Sequence, residues 1–279
     1  MLSLILAAAF TLPPQQSDAV IGVTAIHLES GRRVSVRGTE RFPMGSVYKF
    51  PIALTVLKRV DSGTLSLDRE VTIQPREFAP GWSPLRDEAR KRPITLTVRE
   101  LLRHIFSISD NTASDALMKL VGGPFSVTTR MAELGFGGIR VDRSEAQMAH
   151  DLDAEGGVER YAIDARDTAS PDSMAELLLA FWQRRDGLTK ESHDLLVEWM
   201  TDTPTGPRRI KAAMPANAVV THKTGTMPGT ANDAAIVTAG GQHVALVVFT
   251  KKGTSKLELI EDDLAAVARA AFDAVLSAP

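Results

Sequence analysis

Apolar and β-branched residues concentrate near both ends of this 279-residue chain, where they predict strands. Val20 to Leu28 has the pattern of a first strand, Ser30-Gly31 that of a turn, and Arg33 to Arg37 that of its hairpin partner. Gly240-Gly241 predicts a second hairpin near the other end. The strands expected there cover residues 218–226, 233–238 and 243–251. The chain closes with the amphipathic spacing of a helix over residues 257–276.

Between these strands, the apolar spacing and the capping residues predict helices. An apolar run over residues 50–60 has helical spacing, and Thr97-Val98-Arg99-Glu100 is a capping box that opens a helix to about Phe106. A further helix is expected from about Thr112 to Val121, before Gly122-Gly123. Ser170-Pro171 predicts the start of another, which runs to about Arg185.

Strands at both ends around a helical middle predict an α+β fold. We expect an antiparallel sheet formed from both chain termini and flanked by helices, with an inserted all-α lobe and the active site between them. The α/β lobe would take residues 20–43 and 204–279, and the all-α lobe residues 44–203.

Composition narrows the function classes. A net charge of −2 argues against a nucleic-acid or anionic-membrane partner. The chain has no cysteine, which excludes disulfides, thiolate metal sites and a cysteine nucleophile. Its six histidines show no paired zinc spacing. The sequence therefore predicts no metal site and no cofactor.

The first residues favour export. Residues 1–10 resemble the apolar core of a secretory signal, although no Lys or Arg precedes it, and Ser17-Asp18-Ala19 offers small residues for cleavage. Residues 1–19 are therefore a possible signal peptide, which would place the mature protein in the periplasm or outside the cell. The alternative is that these residues form an N-terminal helix of the mature fold. No later stretch is long and apolar enough to span a bilayer.

The first candidate chemistry is Ser46-Val47-Tyr48-Lys49, directly before the apolar helical run. Residues three apart share a helix face, so a hydroxyl and an amine would lie together where the helix begins. A neighbouring base and a helix N-terminus are what a serine nucleophile needs. The pattern is short enough to arise by chance, so on its own it favours a solvated helix start over a catalytic site.

Two more motifs fall in the same frame. Ser109-Asp110-Asn111 lies in the break between two helices, where a serine can relay a proton and an asparagine can hold a substrate amide. Lys223-Thr224-Gly225-Thr226 lies on a C-terminal strand, where glycine lets a ligand approach the backbone. Taken singly, the first would be a helix N-cap and the second an edge-strand lysine before a bulge.

Together and in this order, Ser-x-x-Lys, Ser-Asp-Asn and Lys-Thr-Gly are the motif set of class A β-lactamases and penicillin-binding proteins. From about Val20 onward the chain resembles a class A serine β-lactamase, with Glu145 where that family carries its deacylation carboxylate. The stretch Glu145-Ala146-Gln147-Met148, with His222 before Lys223, is most like the PER-type extended-spectrum branch. Further stretches that match the family are Arg41-Phe42-Pro43-Met44, Ser83-Pro84 after Trp82, and Arg166-Asp167-Thr168.

The resemblance implies a mechanism through a serine acyl-enzyme. Ser46 would attack the lactam carbonyl, and Lys49, or Glu145 through a water, would take its proton. The backbone N–H groups of Ser46 and Thr226 would form the oxyanion hole. Ser109, assisted by Lys223, would pass a proton to the departing ring nitrogen.

The same resemblance implies the substrate contacts. Asn111 would bind the acylamino side chain, and Trp82 would form a wall of the cleft. The substrate carboxylate would be held by Thr224, Thr226 and Arg209, beside Gly225. Arg209 also fits a surface position in the Arg208-Arg209 pair. Arg143 and Asp167 would pair to pin the loop that carries Glu145.

The chain departs from the family pattern in three places. Ala149 stands where the family usually has an asparagine that helps hold the hydrolytic water, and His150 or Asp151 is a candidate substitute. The segment from Glu145 to Asp167 is longer than usual, and its extra part over residues 151–157 has a flexible, acidic composition. Little sequence precedes the first strand, so the family's N-terminal helix would be missing unless residues 2–10 fill its place.

The expected function is hydrolysis of the β-lactam amide of penicillins or cephalosporins, which would confer β-lactam resistance. A D-Ala-D-Ala carboxypeptidase or transpeptidase shares the first three motifs, but it does not need a dedicated deacylation carboxylate such as Glu145. A β-lactam sensor that acylates once and deacylates slowly is the non-enzymatic alternative, which Ala149 supports.

Overall fold

The structure is a computed structural model that describes residues 10–154 and 156–277. The strands are β1 Val20–His27, β2 Arg33–Val36, β3 Phe42–Pro43, β4 Glu70–Ile73, β5 Ile94–Thr97, β6 Thr168–Ala169, β7 Val219–Met227, β8 Thr230–Ala239 and β9 Gln242–Lys251. The helices are α1 Lys49–Asp61, α2 Pro84–Ala89, α3 Val98–Ser107, α4 Asn111–Leu120, α5 Pro124–Glu133, α6 Glu145–Asp153, α7 Gly157–Tyr161, α8 Pro171–Trp182, α9 Lys190–Thr201, α10 Ile210–Ala213 and α11 Leu257–Ser277.

The main sheet joins the two ends of the chain, which confirms the predicted α+β fold. Its strand order is β2-β1-β9-β8-β7, and each neighbouring pair is antiparallel. The β8–β9 hairpin turns at Gly240 and Gly241, which both have positive φ angles of 58° and 77°. Glycine adopts that conformation without the penalty a Cβ would bring, so the predicted turn follows from these two residues.

Both faces of this sheet are covered. Ile21 and Val23 of β1 lie in one apolar cluster with Leu264 of α11. On the other face, Thr24 Oγ1 donates a hydrogen bond of 2.6 Å to the Asp172 carboxylate at the start of α8. Because helices pack on both sides, β1 is buried along almost its whole length and does not alternate between buried and exposed residues.

The chain divides into two compact units. Within the described residues, the first comprises 10–47, 169–183 and 206–277, and the second comprises 48–168 and 184–205. Helix α8 belongs to the first unit because its buried face packs against β1 and β9, although the sequence assigned it to the helical lobe. The second unit also contains the β4–β5 hairpin, so it is not wholly helical.

Helix α1 is the central helix of the second unit. All its residues from Lys49 to Leu57 are buried, and α3, α4, α5 and α9 lie against it. The predicted capping box at Thr97 and Glu100 is present and opens α3. A helix buried along most of its length holds its first residue in a fixed place, which bears on Lys49 below.

The segment between Arg143 and Asp167, which was expected to be the loop that carries Glu145, contains two helices, α6 and α7. A capping box between Ser144 and Gln147 opens α6, and Gly156, with φ of 65°, lies between the two helices. The prediction of a flexible excursion was wrong for residues 151–153, which complete α6; Glu155 lies outside the described residues.

The chain is anchored before its first strand. The N–H groups of Gln16 and Ser17 donate to the Asp263 carboxylate of α11 at 2.8 and 2.7 Å. Asp18 accepts hydrogen bonds from Thr254 and Ser255. The expectation for a helix over residues 2–10 lies outside the described residues except for Phe10, which packs with Leu12 against the α11 cluster.

Candidate active site

Ser46 lies in a 3-10 turn, Gly45–Tyr48, that runs directly into α1. Gly45 has a φ of 51°, a left-handed conformation that favours glycine. The turn is held from β8, where the Asn232 side-chain amide donates to Pro43 O and Met44 O at 2.7 and 3.1 Å. The nucleophile candidate is therefore partly exposed on a backbone fixed by buried hydrogen bonds.

The backbone of strand β7 lies very close to the backbone that leads into the Gly45–Tyr48 turn. A Cβ placed on Gly225 would lie 2.3 Å from Met44 O and 3.0 Å from the backbone N of Ser46. A Cβ on Gly45 would in turn lie 3.3 Å from Thr226 N. Only a glycine fits at position 225, because the backbone of β7 lies so close to the backbone at Met44 and Ser46. The same close approach brings the backbone N–H groups of Ser46 and Thr226 near each other.

In the second unit, the Lys49 ammonium is completely buried and surrounded by oxygen atoms. Its Nζ donates to Ser109 O at 2.7 Å and to Asn111 Oδ1 at 2.8 Å. Glu145 Oε1 lies 3.0 Å from the same nitrogen. The ammonium thus makes two hydrogen bonds, and the Glu145 carboxylate completes its surroundings as an ion-pair partner. The structure thereby brings Ser109 and Asn111 of the Ser-Asp-Asn motif, together with Glu145, around the lysine of Ser-x-x-Lys.

In the Ser109-Asp110-Asn111 segment between α3 and α4, Ser109 has a strained backbone conformation and Asp110 is fixed by hydrogen bonds. Ser109 has a φ of 57°, which directs its carbonyl toward Lys49. The Asp110 carboxylate caps α4 through Ala113 N at 2.9 Å and also accepts from Ser83 Oγ at 3.1 Å. The N-cap alternative for this motif is therefore correct for Asp110, while its neighbours face Lys49.

Trp82 is 65% exposed, but hydrogen bonds fix both its side chain and its backbone. Its indole Nε1 donates to Ile108 O at 2.7 Å, and its carbonyl accepts the Asn111 N–H at 3.0 Å. An exposed aromatic ring fixed at both ends is suited to binding a flat or apolar part of a ligand. By contrast, Trp199 of α9 is buried.

Glu145 is the first residue of α6, and Asp115 of α4 holds it there. The two Asp115 oxygens accept the N–H groups of Glu145 and Ala146 at 2.7 and 3.1 Å. Burial raises the pKa of Asp115 to about 6, against the lowering effect of the Glu145 N–H, and the Glu145 charge raises it further. The sequence analysis missed Asp115, since nothing in the chain order connects α4 with the start of α6.

Arg143 and Asp167 join the two ends of the segment that carries Glu145. Arg143 Nε donates to Asp167 Oδ2 at 2.6 Å, and Asp167 Oδ1 accepts the N–H groups of Asp142 and Arg143. Arg143 Nη1 also donates to Asp151 at 2.7 Å, so Asp151 is engaged there. His150 is 86% exposed in its side chain. Neither His150 nor Asp151 is therefore placed to hold a water beside Glu145, the role for which the sequence offered them as substitutes at Ala149.

In the first unit, Arg209 is buried, which makes the surface alternative wrong. Its Nη2 donates to Thr226 Oγ1 at 2.5 Å, and Nη1 donates to the carbonyl oxygens of Gly225 and Asn232 at 3.0 Å each. Its Nε pairs with Glu261 at 2.9 Å. The guanidinium therefore binds the β7 backbone and orients the Thr226 hydroxyl. Lys223, one strand position away from Thr224, is completely buried and donates to Thr224 O at 2.8 Å.

Known proteins resemble this chain along almost its whole length. Residues 5–275 match the profile of the β-lactamase enzyme family. The chain is 31% identical to the β-lactamase VEB-1 of Pseudomonas aeruginosa over 93% of this chain and 87% of that protein. It is 31% identical to the extended-spectrum β-lactamase PER-1 of the same organism, over 91% and 82%. A solved β-lactamase structure from Chitinophaga pinensis superposes with a TM-score of 0.83 at 35% identity, covering 92% of this chain and 94% of that one.

Proposed function

This chain belongs to the β-lactamase enzyme family as a class A serine β-lactamase that hydrolyses β-lactams, and we propose that it does so through an acyl-enzyme on Ser46. The family expected from the motifs, with its PER-like character, is thereby confirmed. The observation that carries the proposal is the arrangement around Lys49, whose ammonium is bound by Ser109 O, Asn111 Oδ1 and Glu145 Oε1.

The first step is attack of Ser46 Oγ on the lactam carbonyl carbon. The serine proton passes to Lys49, one turn further along the chain, or to Glu145 through a water. The carbonyl oxygen becomes an oxyanion, which the N–H groups of Ser46 and Thr226 stabilise. Loss of one such donor costs about 3 kcal/mol of transition-state stabilisation in serine hydrolases. The close approach of Gly225 to Ser46 N supports this role, because it aligns the two amides.

Collapse of this intermediate breaks the C–N bond of the lactam. Ser109 Oγ delivers a proton to the departing nitrogen, and the ammonium of Lys223 supports that transfer. Asn111 binds the acylamino group of the substrate through its side-chain amide, whose Oδ1 already accepts from Lys49. The exposed ring of Trp82 forms one wall for the substrate.

The anionic carboxylate of the substrate is bound by the hydroxyl groups of Thr224 and Thr226. Arg209 contributes through Thr226, since it is buried and its Nη2 already donates to that hydroxyl. A hydroxyl that accepts from a guanidinium has its own O–H left to donate, which favours a negatively charged partner.

Release of the acyl group depends on Glu145, which acts as the general base for the attacking water. Its position supports this role, because Asp115 fixes its backbone and Lys49 lies beside its carboxylate. The Arg143–Asp167 pair keeps the ends of the segment together. With Ala149 in place of an asparagine, deacylation is the slower half of the reaction.

We also propose that the protein acts in the periplasm or outside the cell, as a monomer that binds neither nucleic acid nor a membrane in its mature form, after removal of an N-terminal signal. The low net charge supports the absence of a nucleic-acid partner. Across the part of the chain that the structure describes, no helix has the length and apolarity needed to cross a membrane.

The acyl-enzyme proposal is tested by mixing the purified protein with an excess of a chromogenic cephalosporin. Continued turnover through many enzyme equivalents is the expected result, whereas a burst of one equivalent followed by a plateau would favour a binder. Ser46→Ala should abolish covalent labelling by penicillin, with the exposed Ser62→Ala as the matched control. Label that survives in Ser46→Ala would place the nucleophile elsewhere. Release of D-alanine from a peptide would favour a peptidase.

A further inference from the structure

His222 and Asp233 form a buried pair within the first unit, on the neighbouring strands β7 and β8. Both are completely buried, and His222 Nδ1 lies 2.9 Å from Asp233 Oδ1. Because an ionised carboxylate can only accept, the histidine donates through Nδ1. Its Nε2 is buried and has no hydrogen-bond partner among residues 10–154 and 156–277. The ring is therefore oriented through Nδ1 alone.

The second carboxylate oxygen of Asp233 binds the backbone directly after Arg209. Asp233 Oδ2 accepts the backbone N–H of Ile210 at 3.2 Å, and Ile210 directly follows Arg209. The carboxylate thus connects the His222 ring with the backbone that carries the arginine. Asp233 also lies opposite Thr224 in the β7–β8 register, and His222 directly precedes Lys-Thr-Gly on β7.

Arg209 is consequently held at both ends. Asp233 fixes its backbone through Ile210, while its guanidinium donates to Gly225 O, Asn232 O and Thr226 Oγ1. A displacement of the backbone at Arg209 would be transmitted to the Thr226 hydroxyl, because the guanidinium is planar and rigid.

A buried charged or polar pair is weak evidence for stability, because well-packed apolar side chains of similar volume often stabilise as much. The contacts of this pair indicate a positioning role instead. Groups that orient a ligand-binding residue without touching the ligand commonly decide how well that residue binds.

We propose that His222 and Asp233 are positioning residues for recognition of the substrate carboxylate, which they control by fixing Arg209 and, through it, the Thr226 hydroxyl. This rests on the proposed function, in which Thr226 binds that carboxylate. Neither residue of the pair touches the substrate. The pair therefore affects the binding of anionic β-lactams more than the chemical steps at Ser46.

The test compares two substitutions of one residue on two substrates. His222→Leu keeps an apolar volume but removes the Nδ1 donor, whereas His222→Asn offers an amide N–H near the Nδ1 position. The substrates are a chromogenic cephalosporin with its free carboxylate and the methyl ester of the same compound. For the free acid, His222→Leu should raise KM roughly tenfold, which corresponds to ~1.4 kcal/mol, and should leave kcat within about twofold. The ester should show no such change, and His222→Asn should remain near the wild type.

An equal loss of kcat/KM on acid and ester, or no loss on either, would overturn the proposal. If His222→Leu does not fold, Asp233→Asn decides, since its single carbonyl oxygen can accept from His222 or from Ile210 but not well from both. It should again raise KM for the acid alone.

Arg209→Lys and Thr226→Ala distinguish a failure of the proposed carboxylate role of Thr226 from a failure of the proposed positioning role of His222 and Asp233. If they leave KM for the acid unchanged, the carboxylate role of Thr226 is wrong; if they raise it and the His222 and Asp233 variants do not, only the positioning pair is wrong.

Discussion

The carboxylate of Asp115 accepts the backbone N–H of Glu145 at 2.7 Å and so determines where α6 begins. Its second oxygen accepts the next N–H, that of Ala146, at 3.1 Å. Two acceptors at the first turn of a helix satisfy donors that have no partner within the helix. Because burial raises the pKa of Asp115 to about 6, this anchor titrates in a range that is accessible to experiment.

The first prediction concerns the acid limb of activity. Below a pH of about 6 the Asp115 carboxyl gains a proton, and one of its oxygens then no longer accepts an N–H. We expect deacylation to slow as the pH falls through this value. Asp115→Asn should lower the plateau kcat roughly tenfold, as the loss of one hydrogen bond predicts, and should remove the part of the acid limb near pH 6. Asp153→Asn, exposed at the other end of α6, is the control. Identical acid limbs in wild type and Asp115→Asn would assign that limb to another group.

The same shift predicts the pH dependence of stability. The pKa of Asp115 is raised from 3.8 to about 6 in the folded protein, so the unfolded chain releases this proton first as the pH rises. The contribution of Asp115 to the free energy of unfolding therefore falls between these two values and is constant above them. Relative to Asp115→Asn, the wild type should gain at most about 3 kcal/mol when the pH is lowered through this window. Urea unfolding of both proteins measures the difference, and a difference independent of pH would contradict the raised pKa.

A second prediction follows from the placement of Glu145. Glu145→Gln keeps the size of the side chain and leaves Lys49 its contacts with Ser109 and Asn111, so the fold should persist. Without a general base, deacylation should slow by roughly 10²- to 10⁴-fold, and the acyl-enzyme should accumulate. Intact-protein mass after mixing with substrate detects it. Glu159→Gln, an exposed carboxylate of the same segment, should turn over normally. An unchanged turnover rate in Glu145→Gln would refute its role.

The third prediction concerns Gly225. An alanine methyl at this position would lie 2.3 Å from Met44 O, a backbone atom that cannot rotate away. Strand β7 would have to move from Ser46, and we expect acylation to slow by about 100-fold or more, as when an oxyanion-hole donor is lost. Stability should fall by roughly 1–3 kcal/mol, as in other overpacked sites. Gly137→Ala is the control, because no atom lies within 4 Å of its added Cβ. Normal acylation of Gly225→Ala would show that the two backbones can separate without harm.

These residues show what could be predicted from the sequence. The main sheet, α3, α4, α8 and α11 follow from apolar spacing and caps, which are local properties of the chain. The three motifs could be assembled because their order and residue types are specific. The structure then adds contacts that no local pattern contains.

Asn232 and Asp115 make contacts of this kind. Asn232 is a polar residue in a buried strand, and only the fold reveals that its amide holds Pro43 O and Met44 O, far away in the sequence. Asp115 lies within a helix pattern and is 30 residues from the helix start that it caps. Long-range hydrogen bonds of this kind depend on tertiary packing, so neither propensity nor periodicity predicts them. Helix α6 is a different case, because its own capping box from Ser144 to Gln147 is a local signal that could have predicted it.

A fourth prediction concerns the first residue of the mature protein. Cleavage after Ala19 would remove Gln16, Ser17 and Asp18, and would leave the buried Asp263 carboxylate without the two N–H groups that it accepts. We expect the exported protein to begin at or before Gln16, so that both N–H groups remain in place. Intact mass of the secreted form identifies its first residue.

Two truncations test the physical reason for this boundary. A chain that starts at Gln15 should keep its melting temperature far better than one that starts at Ala19, which should lose several degrees because an unsatisfied buried carboxylate is costly. Equal melting temperatures, or a secreted form that begins at Val20, would contradict this assignment.

The last prediction concerns Ala149, one turn after Glu145 on α6. Residues at this spacing share a helix face, so a polar side chain at 149 would lie beside the Glu145 carboxylate. Ala149→Asn should speed deacylation by up to about tenfold, since one added hydrogen bond to the attacking water is worth that much. Decay of the acyl-enzyme, followed by intact mass after rapid quenching, measures the step directly. His150→Asn makes the same addition at the neighbouring, exposed position and should have no effect. If Ala149→Asn deacylates at the wild-type rate or more slowly, the water is already held by other groups, and Ala149 does not limit release of the acyl group.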